Sequence, residues 1–98
     1  MSVTVIKKFV RPSTQVDFPR RVSNSEKAHI LENYVLPGKL LFQNLDISDD
    51  GLTRTTTRIF ANQAAHNQFK TDPALDSLRA EQATYCSAHN ITITSQKI

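Results

Sequence analysis

The stretch from Leu52 to Ile98 constrains the fold most, because it alternates between two incompatible backbone patterns with marked joints. Thr53-Arg54-Thr55-Thr56-Thr57-Arg58-Ile59-Phe60 is dominated by β-branched residues, which suit a pleated surface and lose rotamer freedom in a helix. Asn62 opens a helical pattern through Phe69, with Ala65 and Phe69 four apart. Asp72-Pro73 restarts it, because Pro is tolerated in a first helical turn. Leu75, Leu78, Gln82 and Cys86 then share one face, and Asn90 can take the left-handed conformation that ends the helix. Ile91 to Ile98 returns to alternation, so the half reads strand, helix, strand.

The first half completes the pattern. Val3 to Val10 is a β-branched and aromatic strand, stopped by Arg11-Pro12. Pro12 to Val22 has no period and reads as a loop, with Val16 and Phe18 placed to anchor it. Ser23-x-x-Glu26 has the form of a capping box, and Ile30, Leu31, Tyr34 and Val35 continue one apolar stripe, so a helix is expected over Ser23–Val35. Leu36-Pro37-Gly38 stops it. Lys39 to Ile47 and Leu52 to Phe60 are strands joined by Ser48-Asp49-Asp50-Gly51, a hairpin turn whose glycine supplies a positive φ.

The order β-α-β-β-α-β with right-handed crossovers gives a ferredoxin-like α+β sandwich over residues 1–98: one four-stranded antiparallel sheet with its helices on one face. On the third strand, Thr53, Thr55, Thr57 and Ile59 point one way and Leu52, Arg54, Thr56, Arg58 and Phe60 the other. Neither set is a plain core face. Such a strand lines a cavity or a wet interface, or else lies at a sheet edge where charges discourage aggregation. With 98 residues, 39% of them apolar and no Trp, the core is thin. Burial of the bare sheet face against a second copy, as a homodimer or higher homo-oligomer, is the expected remedy.

Thr55-x-x-Arg58-Ile59-Phe60-x-Asn62, with Ala65, Phe69, Asp72-Pro73 and Leu75-x-x-Leu78, resembles the second half of dimeric α/β-barrel domains, among them the antibiotic-biosynthesis-monooxygenase-like proteins. The resemblance implies two sheets packed face to face in a dimer. Its members include cofactor-independent monooxygenases, haem-degrading enzymes, isomerases and proteins with no known activity. The Trp of the haem-degrading members has no counterpart here, nor has their first-strand Asn, and their helical His compares only with His66.

The residues offer little chemistry of their own. Cys86 is single, which excludes an internal disulfide, and the histidines 29, 66 and 89 have no metal-ligand spacing and read as surface residues. No metal and no cofactor are expected. There is no glycine-rich phosphate loop. Arg58, His66 and Tyr85 are the one set worth testing as a site: a cation off the third strand, a titratable ring on the next helix and a proton donor. Residues 1–27 carry six basic side chains against Asp17 and Glu26, the only feature favouring nucleic acid, and they do not form a basic tract. Phe9 and Phe60 are the aromatics a ferredoxin-like sheet would offer to RNA, in a sequence that does not match an RNA-binding signature. No signal peptide or membrane span is read, so a cytoplasmic protein is expected. Three functions follow in order: a homo-oligomeric protein with a structural or binding role; a cofactor-independent monooxygenase-like enzyme for a small organic molecule, with a cavity lined by Arg58, Tyr34 or Tyr85; and a nucleic-acid-associated protein.

Overall fold

The computed structural model describes residues 1–98. The opening β-branched run forms β1 (Val3–Val10). The Ser48–Gly51 turn joins β2 (Leu40–Ile47) to β3 (Thr53–Phe60), with Gly51 at φ 74° and the Ser48 hydroxyl donating to the Asp50 carboxylate at 2.6 Å. β4 is Thr92–Lys97. All four form one antiparallel sheet in the order β2-β3-β1-β4, the ferredoxin-like arrangement that the element order requires. Lys39, Leu52, Ile91 and Ile98, expected inside strands, lie just outside them.

β3 is therefore an interior strand, which removes the reading of its charges as edge protection. Its arginines must go under the helices.

The expected capping box forms: Ser23 Oγ accepts the Glu26 amide and the Glu26 carboxylate accepts the Ser23 amide. The helix it starts is not regular to Val35, however. α1 covers Asn24–Ile30, and Leu31–Val35 widens into a π turn in which the Leu36 amide donates to Leu31 O, five residues back, at 2.9 Å. The wider turn keeps Ile30 and Tyr34 inward and leaves Leu31, expected in the buried stripe, 47% exposed.

α2 (Gln63–Lys70) is capped by Asn62, whose side chain accepts the Ala65 amide at 2.8 Å. Asp72 caps the short 3-10 turn Pro73–Leu75, which runs into α3 (Asp76–Ala88), and Asn90 at φ 58° turns the chain into β4. No helix is long and apolar enough to cross a membrane.

All helices cover one face of the sheet. Along that face, Phe60 lies opposite Val3, Arg58 opposite Val5, Thr56 opposite Lys7 and Arg54 opposite Phe9. The buried core is in two pieces at the ends of this row. Ile30, Tyr34, Leu40, Phe60, Ala65 and Leu75 pack at one end; Phe9, Cys86 and Ile91 pack at the other, with Val16 and Phe18 of the long loop against them. Phe9 and Phe60 are 2% and 1% exposed, so neither is offered to RNA.

Candidate functional site

The polar stretch between the two core pieces opens into a cavity. β1 and β3 supply its floor, because strand alternation brings Val5, Lys7, Phe9, Arg54, Thr56, Arg58 and Phe60 to one face. Ile30, Leu31 and Val35 of the first helix and its π turn, Phe69 of α2, Leu75, and Leu78 of α3 supply the walls. Edge-strand residues Gln43, Asn44 and Leu45 complete the lining. The cavity is a partly open cleft of about 790 Å³, within the range of small-molecule sites.

Its electrostatics are one-sided. Lys7, Arg21, Lys27, Arg54, Arg58, Lys70 and Arg79 line it, and no Asp or Glu does. Arg79 is satisfied, donating to Asp76 at 2.7 Å and to the carbonyls of Phe69 and Asp72. Three cations on the floor have no carboxylate partner. Arg54, only 5% exposed, donates Nη1 to Pro19 O at 2.9 Å, but its buried Nε has no acceptor. The Arg58 guanidinium stands over the Phe69 ring, 5.1 Å from its centroid, and its buried Nε also lacks an acceptor. Lys7 Nζ lies 5.3 Å from the Phe9 centroid.

Lys7 is diagonal to both arginines across the strand pair, roughly 7–8 Å between backbone positions. Burial, and then the Arg58 charge, push its ammonium below the ordinary lysine value. Burial also lowers Arg54 and Arg58, but a guanidinium keeps its proton in a protein.

No protein-family model matches the chain, and no curated protein sequence does. Solved structures do match. SnoaB, a cofactor-independent oxygenase from Streptomyces nogalater, is 14% identical with a TM-score of 0.61, covering 99% of this chain and 90% of its own. A dimeric ferredoxin-like protein from an uncultured marine organism is 8% identical at TM-score 0.58, covering 99% and 92%. A proposed antibiotic biosynthesis monooxygenase from Deinococcus radiodurans is 12% identical at TM-score 0.56, covering 98% and 89%. The likeness is one of fold. It shows the resemblance to the antibiotic-biosynthesis-monooxygenase-like, ferredoxin-like proteins at the level of the backbone.

Of the three residues the sequence singles out, Arg58 and His66 line this cavity and Tyr85 does not. His66 packs on Phe60 with ring centroids 5.2 Å apart, and burial with the nearby Lys70 and Lys97 lowers its pKa, which favours the neutral ring. Tyr85 donates its hydroxyl to Asp17 O at 2.8 Å, tying down the long loop, and stacks on His89 at 4.0 Å. Tyr34 is also outside the lining: it is fully buried and donates to Asp72 at 2.6 Å.

His29 is not a free surface residue, since its Nε2 lies 2.7 Å from the same Asp72 oxygen that Tyr34 uses. Cys86 is buried, and burial raises its thiol pKa, which works against a nucleophilic thiolate.

Lys7 and Arg54 are the site residues that the sequence reading leaves out. The signal for Lys7 is its place in the alternation Val5, Lys7, Phe9, a charged residue two from a buried Phe. The signal for Arg54 is its shared face with Phe60.

Proposed function

We propose that this protein binds a small organic molecule in the cavity between sheet and helices, and does so as a homodimer. The observation that carries the reading is the cavity itself. A domain of 98 residues has little core to spare, yet the centre of its sheet–helix interface is a space of about 790 Å³ with apolar walls and convergent polar groups. Dimerisation is supported by the other sheet face, where Ile6, Val10, Phe42 and Ile59 alternate with threonines and no helix covers them. One of the structures of the same fold is a dimeric protein.

Titration with N-phenyl-1-naphthylamine, a neutral dye that fluoresces in apolar surroundings, tests the cavity. The expected result is saturable binding of one dye per chain, lost in Thr56→Trp, which fills the cavity floor. A folded protein that takes up no dye, or a Thr56→Trp variant that binds as well as the native chain, contradicts the reading.

A second reading adds catalysis. SnoaB is a cofactor-independent oxygenase of the same fold. His66, tending to the neutral form at the cavity wall, is placed to accept a proton from a bound substrate, and the floor cations are placed to stabilise the anion left behind. Oxygen uptake with a bound phenol, 1-naphthol as the probe because its hydroxyl can give up a proton, abolished by His66→Ala, is the expected result. No uptake with any substrate that binds would limit the protein to binding.

A further inference from the structure

We propose that the ligand of this cavity is an organic anion with a flat apolar body, whose acid group is received by Arg58 and Lys7 at the floor. The inference rests on the small-molecule reading and specifies its chemical class. Apolar walls alone would hold a neutral molecule. They do not account for three cations at successive positions along one face of two central strands, Arg54, Arg58 and Lys7, without one carboxylate around the cavity.

An unpaired charge taken out of water destabilises a fold unless something compensates it. Elsewhere the cations of this chain are paired with a carboxylate, bonded to neutral oxygens or exposed to water. Arg20 pairs with Glu26 and Glu81, and Arg79 pairs with Asp76. On the cavity floor, by contrast, buried and half-buried cations keep donors without an acceptor.

Two features narrow the acid further. Arg58 donates to no group of the protein, so its planar fork keeps the two-pronged geometry that fits a carboxylate. Lys7 on the neighbouring strand supplies a second, mobile donor. The Phe69 ring lies against Arg58 and Phe9 lies near Lys7, so the space around the acid group is aromatic and favours a flat hydrocarbon body over an inorganic ion.

Matched pairs of probes test the class: benzoate against benzyl alcohol, 2-naphthoate against 2-naphthalenemethanol, and 9-anthracenecarboxylate against 9-anthracenemethanol, titrated calorimetrically at pH 7. In the pair that fits best, the carboxylate should bind at least about tenfold more tightly than the alcohol, the gain of a charge-assisted hydrogen bond. Arg58→Met should remove that preference, weakening the carboxylate at least about tenfold more than the alcohol. The same variant should melt at a higher temperature than the native chain without ligand, because it removes an uncompensated charge.

Equal binding of carboxylate and alcohol, a preference that survives Arg58→Met, or sulfate competing as well as the carboxylates would overturn the anionic class and leave the small-molecule reading standing. Binding of neither member of any pair removes both. Should Arg58→Met fail to fold, Lys7→Met is read in its place, with the same loss of preference expected.

Discussion

Asp72 does three jobs with one carboxylate. Its Oδ1 accepts the Ala74 amide at 2.9 Å and starts the 3-10 turn before α3, while Oδ2 accepts from Tyr34 and meets His29. Burial pushes this carboxyl up, but the hydrogen bonds from Tyr34 and His29 and the Ala74 amide outweigh it and hold it at about 2. Glu26 is also held at about 2, chiefly by Arg20 and the Ser23 amide. Both folded values lie below the ordinary 3.8 and 4.5, so the stability these groups contribute is complete above about pH 5 and is lost as pH falls towards 2. Acid unfolding followed by circular dichroism should show this slope, and Asp72→Asn should flatten it. A native chain whose stability is level from pH 5 to 2 would contradict the assignment. Tyr34→Phe keeps the packing and removes one bond to a buried acid, so it should cost about 1–2 kcal/mol in urea unfolding.

Between residues and fold stand the elements, and their caps are where the sequence speaks most plainly. Ser23-x-x-Glu26 forms the box its spacing predicts, and Glu26 is buried as part of it. Ser23→Ala should therefore cost about 1–2 kcal/mol, measured by urea unfolding, since it strips the cap and leaves the Glu26 amide without its acceptor. Loss of less than about 0.3 kcal/mol would show that Arg20 alone holds the helix start.

The π turn at Leu31–Val35 is not legible in the sequence. Ile30, Leu31, Tyr34 and Val35 satisfy ordinary helical spacing, so nothing in the pattern marks the wider turn from which Tyr34 bonds Asp72. Element order and the turn glycine at position 51 are legible because each rests on local chemistry. The interior place of β3 follows from that order, but what its polar face meets does not, because that depends on pairing with β1, some 50 residues away in sequence. The same limit applies to the site. Arg58 and His66 stand out as chemistry on adjacent elements, whereas Lys7 and Arg54 become site residues only when β1 and β3 lie side by side. Tyr85 shares the sequence neighbourhood of the site but turns to the long loop instead.

At the scale of the whole molecule, two small core pieces flank a cationic cavity on one side of the sheet, and the other side has no cover. A thin domain gains stability from burying that second face, and Ile59, near the end of β3 between Thr4 and Phe42, is well placed for contact with a second copy. Sedimentation equilibrium should give twice the 11.0 kDa chain mass for the native protein and the single mass for Ile59→Asp, with circular dichroism unchanged. A native monomer would show that the open face is stable in water alone.

The cavity is the more consequential feature, because it takes the place of a continuous core and gathers charges that the rest of the chain does not compensate. The crystal structure of the protein with bound 2-naphthoate tests that most directly. The carboxylate is expected within hydrogen-bond reach of Arg58 and Lys7, with the rings against Phe69. A cavity closed over by its own side chains, with naphthoate on the surface or absent, would contradict it.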